Sequence, residues 1–366
     1  MDKLRIAIIA PPWYPVPPRG YGGTELVVHL LHNELRRLGH EVTVFGAEGS
    51  GPGVEAVADE AWSADLGGRW ESLRMATYLA RVYQRLRGQR FDVLHDHAGP
   101  ESILLATETG VADVVVHTVH GLITEPFRTY YRQGEERVRL VAISRSQAET
   151  APELRFAGIV YNAVEVPPGA VSRTREKYLV EVARICPDKG QHIAIEVARQ
   201  TGRRLILAGK VERSPEGERY FEEEIEPRLG RMVEYYPNIQ GAEKAKLLAR
   251  AAAGIFPLQW SEPFGLAMAE CMMAGTPALA LATGSAPELI APGVTGFLGQ
   301  DVDQLVAAVG LLDEIDHQRC AAEARERFSP QRMARDYLQV YTERLSLRPV
   351  DHLSRSGAGA RRQSSQ

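Results

Sequence analysis

Short apolar runs alternate with longer amphipathic stretches along most of this chain. Leu4–Ala10 is a continuous apolar run bounded by prolines, the pattern of a strand buried on both faces of a parallel sheet. After a Pro/Gly loop, Thr24 is expected to cap a helix carrying Leu26, Leu30, Leu31, Leu35 and Leu38 at helical spacing, with Gly39 ending it. Strands are predicted at Val42–Phe45, Phe91–His95, Val114–Val119, Leu140–Ile143 and Gly158–Tyr161, with a helix over Leu73–Leu86. The dense break at Pro167, Pro168 and Gly169 reads as an interdomain linker.

The alternation then restarts. Strands are predicted at Tyr178–Ala183, Arg204–Ala208, Met232–Tyr235, Gly254–Pro257 and Pro277–Leu281. Helices are predicted from Lys189, near Glu243–Ala252, over Gly265–Ala274 and over Asp301–Leu312. Ser329-Pro330 starts a last helix, with proline at its first position; Met333, Tyr337, Val340 and Tyr341 form one stripe of it. Two rounds of strand–helix alternation imply two α/β domains, each a doubly wound parallel sheet. The polar, basic end of the chain, 350–366, lacks core-forming residues and is expected to be disordered.

Composition narrows the function. A chain of 366 residues suits two domains. With a net charge of −4, it has no overall basic footprint for nucleic acid. Cys186, Cys271 and Cys320 form no C-x-x-C pair, which removes zinc-ribbon and redox motifs and fits a reducing compartment. The run Ile6–Ala10 is too short for a signal-peptide core, and nowhere do 18 apolar residues run together. A cytoplasmic protein without a transmembrane segment is expected. Peripheral contact with a membrane through a basic amphipathic face stays open.

Three segments could carry chemistry. The first is Trp260-Ser261-Glu262-Pro263-Phe264-Gly265-Leu266, between a predicted strand and helix. Free amides at Phe264, Gly265 and Leu266 would point out of the helix start, where anions are stabilised. Glu262 and Glu270, two turns apart, cannot serve the same atom; an ordinary capped helix is the competing reading. The second is Arg184 and Lys189, at the end of a strand and the start of a helix, where two cations suit a diphosphate and equally suit a solvated loop. The third is Arg19-Gly20-Tyr21-Gly22-Gly23-Thr24-Glu25 after the first strand, a glycine-rich cradle by geometry. Glu25 stands where a dinucleotide fingerprint needs its third glycine, so a nicotinamide or flavin site is not favoured.

His95, Asp96, His97, His117 and His120 cluster at predicted strand ends, where open α/β sheets place their sites. Alternation would turn Asp96 away from His95 and His97, which argues against a metal. Asp301-Val302-Asp303 reads as a helix N-terminus, not as a metal-binding Asp-x-Asp.

The glutamates Glu262 and Glu270, eight positions apart around Phe264-Gly265-Leu266, resemble the retaining glycosyltransferase family 4. So do Ala274-Gly275-Thr276-Pro277, Gly284-Ser285-Ala286-Pro287-Glu288 and Gly293-Val294-Thr295-Gly296-Phe297. The resemblance spans about residues 4–345 and implies the GT-B fold, two facing Rossmann-like domains. It assigns 1–168 to an N-terminal acceptor-side domain and 169–329 to a nucleotide-sugar-binding domain, with a helix at about 330–346 returning to the first. It implies transfer of a sugar from a nucleotide diphosphate, a UDP-sugar foremost, to a hydroxyl of a sugar, lipid or natural product, with retention of configuration and no metal or other cofactor. A sugar-nucleotide epimerase of the same fold, or a non-catalytic carbohydrate-binding protein, remains the alternative.

By the same resemblance Arg184 and Lys189 hold the donor phosphates, Glu262 binds the donor sugar's hydroxyls, and Phe264, Gly265 and Leu266 contribute backbone contacts. Glu270 binds the ribose. Gly22 and Gly23 face the interdomain cleft, His120 lies near the anomeric carbon, and Ser144 and Asn162 are cleft-facing polar residues. The chain departs from the family pattern at Ala183, which replaces a glycine, at Asn162-Ala163-Val164-Glu165, and at Tyr236-Pro237-Asn238, which is expected to alter the base pocket.

Overall fold

A computed structural model describes residues 2–345 apart from Glu135, residues 167–170, Arg173 and Asn238. The expected linker at Pro167–Gly169, with the 168/169 boundary, and the tail 350–366 lie outside the described residues, as does Asn238.

The first sheet is built by β1 (Arg5–Ile9), β2 (Glu41–Ala47), β3 (Val54–Ala58), β4 (Phe91–Asp96), β5 (Ala112–Val119), β6 (Arg139–Ala142) and β7 (Phe156–Ile159). Its helices are α1 (Gly23–Arg37), α2 (Glu71–Leu86), α3 (Ser102–Thr109), α4 (Glu125–Gly134) and α5 (Arg145–Glu149). The strand order is β3-β2-β1-β4-β5-β6-β7, and every pairing is parallel. Parallel strands need covered faces, and each face has an apolar core: Phe45, Tyr78, Leu79 and Leu94 on one side, Ile6, Ile8, Leu31 and Val116 on the other.

The second sheet is built by β8 (Tyr178–Val182), β9 (Arg204–Ala208), β10 (Val233–Tyr236), β11 (Ala253–Phe256), β12 (Ala278–Leu281) and β13 (Gly296–Gly299), in the order β10-β9-β8-β11-β12-β13, again all parallel. Around it run α6 (Gln191–Thr201), α7 (Pro215–Tyr220), α8 (Gly241–Arg250), α9 (Leu266–Met273), α10 (Ala286–Leu289), α11 (Val302–Val309) and α12 (His317–Phe328). The last helix, α13 (Pro330–Leu345), leaves this sheet and buries Met333, Tyr337 and Tyr341 in the core of the first. Arg332 ties it there, donating to the carbonyl of Tyr161 at 2.6 Å.

Several local expectations are corrected. Thr24 does not cap α1: the cap position is Gly22, at φ 140, and no side chain accepts there. Leu38 is an exposed end residue, not part of the buried stripe. Lys189 does not begin a helix; it closes a 3₁₀ turn, Pro187–Lys189, and Gly190 at φ 74 precedes α6. A Cβ at Gly190 would lie 2.1 Å from the carbonyl oxygen of Pro257, so the turn can pack against the β11 end only with glycine there. Asp301 does cap α11, accepting from the Gln304 N–H at 2.9 Å, as its helix-start reading predicted.

Both sheets reverse their winding direction at the first strand of the domain, between β1 and β4 and between β8 and β11. The crevice at the carboxyl ends of such strands is where open α/β sheets take ligands. The loops after β1, β4, β5, β8 and β11 all open into one cleft between the domains.

Candidate active site

The C-terminal wall of that cleft is made by two stitched loops. The loop after β8 carries Arg184 and Lys189, and the loop after β11 carries Trp260 and Glu262. The Gln259 N–H donates to the Asp188 carbonyl at 2.8 Å, fixing one loop on the other. Lys189 Nζ then lies 2.5 Å from Glu262 Oε2 and 4.5 Å from the centre of the Trp260 ring. Arg184 Nη1 pairs with Glu212 Oε2 at 2.5 Å. Behind it, Gln191 Nε2 donates to the Arg184 carbonyl and to Glu181 Oε1, both at 3.0 Å. Burial pushes the Glu181 carboxyl well above the ordinary carboxylate range.

Glu262 is held by its backbone. Ser285 N–H donates to its carbonyl at 3.0 Å, and Ser285 Oγ donates to the Phe264 carbonyl at 2.6 Å. Gly284 makes this approach feasible: at φ 52, a Cβ there would stand 2.5 Å from the Glu262 nitrogen. Gly265 turns the chain at φ 87 into α9, and the first intrahelical bond is donated by Met268. Among the described residues the amides of Phe264, Gly265 and Leu266 therefore have no backbone acceptor. They, Arg184, Lys189 and Glu262 line a single cavity of about 760 Å³.

The N-terminal wall faces this array. Gly22 and Gly23 line the same cavity, and a Cβ at Gly23 would come within 2.8 Å of the Leu266 side chain, so the glycine lets the two domains approach. His120 lies beside them and is bonded through Nε2 to His97 Nδ1 at 2.8 Å. His97 Nε2 meets His95 Nδ1 at 3.3 Å, and His95 Nδ1 meets the Tyr341 hydroxyl of α13 at 2.6 Å. His95 Nε2 reaches Thr118 Oγ1 at 2.8 Å, which contacts the Tyr337 hydroxyl at 2.9 Å. Burial, helped by the neighbouring His117, lowers His120 to about 3, so it is a neutral hydrogen-bonding group at ordinary pH. Asp96 points to the opposite side of β4 and accepts from His117, Ser102 and the Ala98 amide. Among the described residues no three His, Cys, Asp or Glu side chains converge as a metal site would require.

The remaining expected site residues divide. Asn162 lines the cavity, and its Oδ1 is buried without a partner, an acceptor a ligand could satisfy. Ser144 does not line it; its hydroxyl is fully buried and caps α5, accepting from the Gln147 N–H at 2.9 Å. Glu270 lies along α9 beyond the cavity lining, with Lys244 Nζ at 2.8 and 2.9 Å from its two oxygens. Lys244, Glu212 and Gln191 were not singled out from sequence; they act through partners 7 to 28 positions away. Glu25, seen only as a misplaced fingerprint residue, lines the cavity at 2% exposure and accepts from the Tyr14 N–H at 3.2 Å. Burial raises its carboxyl to about 7.

Two family models match successive parts of the chain: Glycosyltransferase Family 4 over residues 21–166 and Glycosyl transferases group 1 over residues 166–331. The D-inositol 3-phosphate glycosyltransferase of Mycobacterium marinum is 34% identical over 148 residues, which is 38% of this chain and 31% of that protein. The chain thus spans about a third of that relative. It spans 91% of the glycogen synthase of Mycobacterium tuberculosis, at 27% identity and with 91% of its own length. Among solved structures, AviGT4, a glycosyltransferase involved in avilamycin A biosynthesis, is 25% identical with a TM-score of 0.73, covering 94% of this chain and 99% of that one.

Proposed function

The chain belongs to the glycosyltransferases of group 1/family 4, enzymes that take a sugar from a nucleotide-sugar donor, and from that premise we propose a UDP-sugar donor, a hydroxyl acceptor and retention of anomeric configuration. One observation carries the reading: Arg184, Lys189 and the free amides before α9 border one cavity, a cation pair and a helix start aimed at the same volume.

In this mechanism the donor diphosphate lies between Arg184, Lys189 and the amides of Phe264, Gly265 and Leu266. As the bond from the anomeric carbon to the phosphate oxygen breaks, negative charge grows on the diphosphate, and these groups stabilise it without reorganising. Lys189 has by then exchanged Glu262 for the phosphate, on donor binding, and Glu262 is free to accept from the sugar's hydroxyls. The acceptor oxygen forms its bond to the anomeric carbon from the face the leaving group departs, and its proton passes to the departing phosphate oxygen. His120, neutral throughout, hydrogen-bonds the sugar through Nδ1, while Asn162 offers its unpaired oxygen. Glu270 with Lys244 serves the ribose, and Gly22 and Gly23 keep the opposite wall close. Closure of the domains excludes water from the activated donor. A cytoplasmic location belongs to this reading, since all three cysteines are buried free thiols.

The test is calorimetry with UDP, GDP and ADP, followed by a panel of nucleotide sugars scored for nucleotide release with and without a mixed acceptor pool. UDP binding and acceptor-dependent release support the assignment. No affinity for any nucleoside diphosphate overturns it, and conversion of the donor to an isomer without release points to an epimerase instead.

A further inference from the structure

The N-terminal wall of the cleft has a chemical character of its own. Trp13, Tyr14 and Tyr21 from the β1–α1 loop and Phe127 and Tyr131 from α4 line it. Tyr14 and Tyr21 meet edge to face with ring centres 5.8 Å apart, and Phe127 and Tyr131 stack at 6.4 Å. Flat apolar faces with hydroxyl rims suit ligands that are apolar on one side and polar at the edge, as pyranose rings are.

Its charge is one-sided. Glu25 and Glu71 line this wall, and among the described residues no lysine or arginine of the N-terminal domain does. Neither carboxylate swings freely: Glu25 accepts from the Tyr14 N–H, and Glu71 accepts from the Gly67 N–H at 2.7 Å. The cavity's two cations, Arg184 and Lys189, stand on the other wall, each already paired with a carboxylate. An anionic acceptor entering here would meet the Glu71 carboxylate and, among the described residues, no cation on its own side, and would compete with the donor diphosphate for Arg184 and Lys189. A wall built this way disfavours anions.

We propose that the acceptor is a polyhydroxylated compound carrying no phosphate or carboxylate, held by stacking on the aromatic wall with Glu25 and Glu71 accepting from its hydroxyls. The inference rests on the glycosyltransferase reading with the donor on the C-terminal wall. By it, the phosphate-bearing acceptor named for the Mycobacterium marinum relative is not the acceptor of this chain.

The experiment separates acceptors by charge. A small-molecule extract of the source cells is split on an anion exchanger into unretained and salt-eluted pools, and each is added to the full-length enzyme with its best nucleotide sugar. Matched pairs, glucose with glucose 6-phosphate and inositol with inositol 3-phosphate, are run beside them. Stimulation of nucleotide release by the unretained pool, and a preference of about tenfold or more for the neutral member of each pair, is the expected result. Stimulation confined to the salt-eluted pool, or equal use of phosphorylated partners, overturns the inference. Leu66, 41% exposed on the rim of the same wall, provides a second reading. In Leu66→Arg the neutral-to-phosphorylated ratio should fall about fivefold or more; an unchanged ratio also counts against the proposal. A chain that binds no UDP fails earlier, at the donor, and one that binds and hydrolyses the donor but takes anionic acceptors fails only here.

Discussion

Replacing Lys189 with methionine tests the donor site most directly. The ammonium is poised 2.5 Å from Glu262 Oε2, with side-chain exposures of only 13% and 17%, so water screens the pair little. At an effective dielectric near 20, unit charges about 4 Å apart interact by about 4 kcal/mol. A phosphate oxygen replacing Glu262 would gain a similar amount. Only the part that grows as the leaving group departs lowers the barrier, and a single oxyanion stabiliser of this kind is worth roughly 3 kcal/mol. Turnover in Lys189→Met should therefore fall by about a hundredfold at saturating donor and acceptor. Methionine keeps the length of the stem and can still lie on the Trp260 ring, so loss of packing is a minor effect. The assay is initial-rate nucleotide release, with kcat and donor KM determined separately. Because Lys189 and Glu262 act on each other, adding Glu262→Gln should cost less than the two single losses combined. A Lys189→Met enzyme that keeps kcat within about threefold of wild type would refute the idea that this ammonium carries leaving-group charge.

Two further outcomes follow from buried groups on the N-terminal side. Glu25 holds its proton up to about 7 in the folded chain against an ordinary value of 4.5, so the folded state binds the extra proton between those limits and loses stability as pH rises through them, by about 3 kcal/mol at most. Glu25→Gln keeps an acceptor for the Tyr14 N–H and removes that loss. Its urea midpoint should match wild type near pH 4 and exceed it at pH 8.5, and coincident midpoints at both would contradict a buried acid. Tyr341→Phe strips His95 of its 2.6 Å partner, a buried deletion costing about 1–3 kcal/mol. Nitrogen NMR of the histidine rings should report an altered tautomer pattern at His97 and His120, and an unchanged pattern would mean the three rings are not coupled.

Most of the scaffold was legible because buried parallel strands advertise themselves as short apolar runs. Arg204–Ala208 was predicted to the residue, and the helix of Pro330 was anticipated by its stripe of Met333, Tyr337 and Tyr341. What escaped has physical causes. The edge strand β3 is half-exposed and has no continuous apolar run. In α12 the buried face is mostly small, Cys320, Ala321 and Ala324 with Phe328, amid charged neighbours, which weakens the periodic signal. The Gly22 cap and the 3₁₀ turn at Lys189 are set by packing between loops, not by local preference.

The site was legible in its residue types and not in its partnerships. Arg184, Lys189 and Phe264–Leu266 do border one cavity, whereas the Lys189–Glu262 pair spans 73 positions and the His95–Tyr341 contact spans 246, separations no local pattern encodes. Ser144 shows the converse: the family resemblance makes it a cleft-facing polar residue, but its hydroxyl is an N-cap, a common use of serine at a helix start.

The return of α13 to the first sheet bears on how the molecule is made. Tyr337 and Tyr341 complete a core whose other members, such as Ile6, Leu31 and Val116, leave the ribosome some 220 residues or more earlier. The N-terminal half therefore emerges with an apolar groove that α13 closes. Synthesis through α13 precedes the final packing of the first sheet, and chains cut short before Pro330 should present that groove to chaperones and proteases.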